Sequence, residues 1–134
     1  MSAPLFSVLE ENEMKDFVRE IQYKDKTYSL RFNLNVMEAI QEEYGSVDAW
    51  GELTDGKLDK NGKVKSEPNA KAVIFGFREM VNEGIDCDNE ENGTNIQPLT
   101  LKQVGRMITD FGFKEATAEM NKAVIDASKS EEKN

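Results

Sequence analysis

At 134 residues the chain is long enough to bury one hydrophobic core without disulfide or metal staples. Its net charge of −9 argues against general affinity for nucleic acid or anionic membrane, since both need clustered Lys and Arg. One Cys cannot close an internal disulfide, no apolar run approaches the roughly 20 residues that span a bilayer, and no export signal opens the chain, so a soluble cytoplasmic protein is expected.

Residues 1–16, "MSAPLFSVLEENEMKD", contain a Ser7/Glu10 capping pair but few apolar residues, and read as a flexible N-terminal arm. Over "FVREIQYKDKTYSLRFN", apolar and aromatic residues alternate at period two on both sides of the polar turn "KDK". This predicts a β-hairpin with Leu30 and Phe32 on its buried face. Asn35 and Glu38 form an Asx variant of the capping box, and Val36, Met37, Ile40 and Tyr44 recur at helical spacing before Gly45, which predicts a helix over about 36–44. Ser46 caps a further short helix, "VDAWGEL", that carries the only Trp, Trp50.

Residues 55–68 hold two glycines, one proline and four lysines, and read as an exposed loop or a small hairpin turning at Asn61-Gly62. Pro68 suits a first helical turn, and Ala70, Val73, Ile74, Phe77, Met80 and Val81 follow at helical spacing until Gly84 ends the run. A second exposed loop is then expected over 85–98. Thr100 and Gln103 make a capping box for a helix with the stripe Leu101, Val104, Ile108 and Phe111, closed by Gly112. A last helix over about 113–128 carries Phe113, Ala116, Met120, Val124 and Ala127, and 129–134 read as a disordered tail. The expected fold is α+β: an N-terminal hairpin packed with four to five helices in one domain over 17–128.

Catalytic chemistry finds little support. There is no histidine, the commonest general base and metal ligand. Cys87 lies between Asp86 and Asp88, whose charge disfavours a thiolate. A calcium loop registered on Gly93 puts Asp88, Glu90 and Asn92 at ligand positions, but Leu99 falls where the bidentate Glu must stand. No phosphate-binding Gly-rich loop is present. Neither enzymatic activity nor a cofactor is therefore expected.

Binding is better served. Phe75 lies off the apolar stripe of its helix, beside Lys71, Arg78 and Asn82, and Ile125 lies among Lys114, Lys122 and Lys129. Six acids stand between Glu79 and Glu91, a candidate contact for a basic partner. Phe75, Arg78, Trp50, Ile125, Asp86 and Asp88 make up the candidate partner-binding residues.

The order of "YKDKTYSLRFNLNVMEAIQEEYGS", Trp50, "AVIFGFREMVNEG" and "PLTLKQVGRMI" resembles the tail assembly chaperones of long-tailed bacteriophages and prophages. Phe32, Asn33, Asn35, Ile40, Glu43, Tyr44 and Gly45 match one pattern, Ile74 to Phe77 a second, and Leu99, Thr100, Val104, Gly105 and Ile108 a third. The stretches 55–68 and 85–98 depart from it. The resemblance implies a non-enzymatic protein of the host cytoplasm, missing from the mature virion, that binds the tape measure protein, keeps it soluble and helps recruit tail tube protein. It is compatible with a homo-oligomer. The alternative expectation is an acidic DNA mimic that inhibits a basic host protein. A third, a carboxylate-based enzyme or metal protein, rests on the acids of 86–91.

Overall fold

A computed structural model describes residues 17–55, 57, 58 and 60–132. Strands β1 (Phe17–Tyr23) and β2 (Lys26–Phe32) pair antiparallel, from Phe17 opposite Phe32 to Tyr23 opposite Lys26. The two-residue turn leaves Lys24 at φ 58°, a left-handed backbone that costs a lysine about 1 kcal/mol. Ile21, Leu30 and Phe32 enter the core as the alternation predicts. Five helices follow: α1 (Leu34–Tyr44), α2 (Val47–Asp55), α3 (Ala70–Asn92), α4 (Leu101–Phe111) and α5 (Phe113–Glu132). A small hairpin, β3 (Lys57–Leu58) with β4 (Val64–Ser66), separates α2 from α3, so the second of the two readings of 55–68 holds. The architecture is α+β, as expected. The predicted N-terminal arm over 1–16 lies outside the described residues.

Several helix ends are chemically as read. Ser46 Oγ accepts from the Ala49 N–H at 3.0 Å, and Thr100 and Gln103 form the complete reciprocal capping box. Two starts differ. Asn33, not Asn35, caps α1 by accepting from the Val36 N–H; Asn35 is one of two amides, with Asn33, that donate to Glu83 of α3. Pro68 stands outside α3, whose cap is Asn69, accepting from the Ala72 N–H at 2.9 Å. The final helix extends to Glu132, past the expected end at 128, so most of the expected tail is helical; residues 133 and 134 are not described.

The largest departure is at Gly84. It does not end α3, which continues to Asn92 and closes at Gly93 with φ 66°. The loop expected over 85–98 shrinks to 93–99. Gly84 is in the helix interior because α3 presses its bare backbone there against β2: a Cβ would stand 2.1 Å from the Ser29 carbonyl oxygen. Two turns earlier Gly76 does the same for α2, since a Cβ there would stand 2.2 Å from Trp50 Cζ2. Each interior glycine costs a helix about 1 kcal/mol relative to alanine, a cost offset by the close approach it permits.

Around α3 the core closes. Trp50, Phe32, Leu30, Phe77 and Met80 are fully buried, and from α4 and α5 come Val104, Met107, Met120 and Ala123. Arg19 of β1 reaches Glu119 of α5 at 2.8 Å and Asp126 at 3.7 Å, half-exposed pairs worth at most about 1 kcal/mol.

Gly84→Ala is expected to destabilise the protein by about 3 kcal/mol, since a methyl group would force the hairpin off α3. Gly51→Ala, in α2 with nothing within 4 Å of the added carbon, is expected to gain ~0.5–1 kcal/mol. Urea denaturation of both variants checks the pair; equal shifts would show that the approach at Gly84 is not tight.

Candidate functional site

The six candidate partner residues do not form one surface. Trp50 is a core residue: 1% exposed, its indole N–H donating to the Ala72 carbonyl at 2.9 Å and its ring seated on Gly76. That overturns its assignment to a partner surface. Its six-membered ring fills the space left by Gly76, and its only polar atom is already satisfied.

Asp86 is exposed on α3, whereas Asp88 is partly buried and receives a long, 3.5 Å hydrogen bond from Ser29 Oγ. Glu83 is tied to Asn33 and Asn35, and Glu79 lies 3.9 Å from Arg78. Two of the six acids, Glu83 and Asp88, therefore join α3 to other elements. Cys87 is partly buried, with its Sγ 3.8 Å from the Glu83 carboxylate. Among the described residues no three of His, Cys, Asp and Glu converge in a metal-binding group, and no helix is long and apolar enough to cross a membrane.

Ile125, 54% exposed, borders a shallow depression between α2 and α5. Its expected surroundings were lysines, yet the depression it lines carries Asp48, Glu52 and Asp55. The reason is tertiary: the helical projection of α5 shows its own lysines but not the acids of α2 across the depression, one of which, Asp55, accepts from Asn121 of α5.

Phe75 and Arg78 do come together, in an open groove of about 1040 Å³ between α3 and α4. Ile74, Phe75 and Gly105 form its floor, and Leu101, 50% exposed at the first position of α4, stands on its wall. Tyr44 holds the Phe75 ring edge-on, with centroids 5.5 Å apart and planes at 76°. Phe75 is thus half-buried and fixed in place.

Gly105 adds no side chain to the groove; a Cβ there would meet only Ile74 Cδ1, at 3.8 Å. Leu101, expected in the core stripe of α4, is replaced there by Met107: Val104, Met107 and Ile108 are the residues that α4 buries.

Four cations rim the groove, Lys71 and Arg78 from α3 and Lys102 and Arg106 from α4, against two carboxylates, Glu43 and Asp110. Arg78 Nε donates to the Leu99 carbonyl at 3.2 Å, which steadies its guanidinium. Lys71, Lys102 and Arg106 are exposed and take part in no salt bridge among the described residues. Asp110 is already engaged, accepting from the Tyr23 hydroxyl at 2.7 Å. That bond, then desolvation and the nearby negative charge, raise the Tyr23 pKa above its usual value. Lys102, Arg106 and Asp110 stand four residues apart along one row of α4, a sequence signal of a charged face that balanced counts over 100–134 conceal.

No protein-family model matches the chain, and comparison with curated proteins and with solved structures gives no match.

A raised phenol pKa means that the fold favours the neutral, donating hydroxyl. Its contribution is fully present below the unfolded value of 10.0 and lost as pH rises through the higher folded value. Tyr44, raised by burial, follows the same sign. Tyr23→Phe is expected to shrink the fall in melting temperature between about pH 9 and 11, leaving the Tyr44 part in place. Parallel melting curves for the two proteins would mean that the Tyr23–Asp110 bond does not stabilise the fold.

Proposed function

We propose that this chain is a non-enzymatic tail assembly chaperone of a long-tailed phage or prophage, acting in the host cytoplasm. It binds the tape measure protein, keeps it soluble, helps recruit tail tube subunits and is left out of the finished virion. The observation that carries the binding part is the α3–α4 groove, an open trough with an apolar floor of Ile74, Phe75 and Gly105. A trough of this kind suits a helix that lays its apolar ridge into it, a common mode of helical peptide recognition. A long helical partner offers many such ridges, and one shallow groove holds any of them reversibly, which is what a holding chaperone requires.

The resemblance in sequence supplies the identity of the partner, and the residues that carry it have identifiable local work. Asn33 and Thr100 cap α1 and α4, Gly45 closes α1, and Gly76 seats the Trp50 ring. The rival reading, an acidic DNA mimic, needs free carboxylates at phosphate-like spacing. Of the acids from 79 to 91, Glu83 and Asp88 accept hydrogen bonds from other elements and Glu79 lies beside Arg78, which leaves Asp86, Glu90 and Glu91 exposed. That distribution favours the chaperone.

Co-expression with the tape measure protein of the same phage is the test. The soluble fraction of that protein is expected to rise several-fold with this chain, and Leu101→Ser, a change at a half-exposed position, is expected to remove most of the gain without unfolding the chaperone. A soluble fraction that does not respond to the chain would refute the proposal.

A further inference from the structure

The groove has the opposite charge sign to the molecule around it. The chain carries −9, yet the groove lining carries four cations against two carboxylates, a local excess of +2. From this reversal we infer that the segment seated between α3 and α4 is an acidic amphipathic helix of a different protein: a ridge of aliphatic side chains flanked on both sides by Glu or Asp. The inference rests on the helix-in-groove reading above and adds the charge of the occupant.

The cations stand where such flanks would pass. Lys71 and Arg78 are seven residues apart on one wall, about 10 Å along the axis of α3, and Lys102 and Arg106 are four apart on the other, about 6 Å along α4. A helix lying between them brings side chains at i, i+4 and i+7 to each wall at matching spacing. Gly105 leaves the floor low beneath the apolar ridge.

The counter-claim, that so acidic a protein attracts basic partners, depends on charges farther away. At physiological salt the Debye length is about 8 Å, so the cations on the rim outweigh acids on remote faces for anything inside the groove. Of the two carboxylates in the lining, Asp110 already accepts from Tyr23. A basic helix would place like charges beside Lys71, Lys102 and Arg106, a juxtaposition that interfaces use to reject partners.

The test uses the full chain and two labelled synthetic helices with one and the same Leu/Ala ridge, one flanked by Glu and the other by Lys, read by fluorescence polarisation. The Glu-flanked helix is expected to bind about ten-fold more tightly at ~50 mM NaCl, with the preference narrowing toward parity near 0.5 M. Lys102→Glu/Arg106→Glu is expected to reverse the order, and Lys71→Glu on the opposite wall to weaken Glu-helix binding about three-fold, which serves if the double variant fails to fold.

Equal or tighter binding of the Lys-flanked helix, a preference that survives the double substitution, or no binding of either helix would overturn the inference. So would an oligomer in sedimentation that the double variant dissolves, because the occupant would then be a second copy. A Leu5→Ser/Leu9→Ser chain that binds the Glu helix ten-fold better than the parent would also overturn it, with residues 1–16 as the occupant. None of these results decides whether tape measure protein becomes soluble on co-expression, so the two readings fail separately.

Discussion

The fold turns on one close approach, the bare backbone of Gly84 against the Ser29 carbonyl. A two-stranded hairpin is marginal in water on its own and needs a partner element to persist. Here β2 lies against a 23-residue helix at the point where that helix has no side chain. With the hairpin fixed on α3, Leu30 and Phe32 reach the core, α5 packs over the strands, and Arg19 meets Glu119. Gly76 repeats the device for α2, so two glycines eight residues apart let one helix receive an indole at one level and a strand about two turns farther on. The weak helix propensity of α3 at these points is the consequence of what it must touch.

This also explains what was legible in the sequence. Hairpin alternation, the Thr100/Gln103 box and the Ser46 cap are settled within a few residues of chain, and all three were readable. Gly84 was not, because a glycine that ends a helix and one that admits a neighbour look alike until the neighbour is known. The acidic residues and asparagines after it are ordinary in a loop and point the same way as a helix stop. In the groove, Phe75 and Arg78 stood out because they fall off the stripe of α3. Leu101 was hidden because it fits the stripe of α4 arithmetically while the helix rotates Met107 inward in its place. Burial of the lone Trp50 is decided by a glycine 26 positions away, which no local pattern around the Trp reveals.

The charge pattern carries the other half of the synthesis. Counted along the chain, acid dominates; in space, several carboxylates are spoken for. Glu83 gathers the amides of Asn33 and Asn35, Asp110 takes the Tyr23 hydroxyl, Glu119 takes Arg19, and Asp88 faces Ser29. Of these only Asp110 lines the α3–α4 groove, where the charged residues are four cations against two carboxylates. Net charge is thus a poor guide to the field at any one surface of this molecule.

The seam between α3 and α4 holds a last consequence. Asn82 grips both the N–H and the carbonyl of Leu99, and Asn89 does the same for Ile96. These bonds seize backbone, so beyond Gly93, which closes α3 at φ 66°, and Thr94, whose hydroxyl donates to Asn89, the identities of the side chains along 95–98 matter little to where α4 begins. The two asparagines act as a caliper: they set the offset of one groove wall against the other from within α3, and they shield that offset from drift in the sequence of the connecting loop.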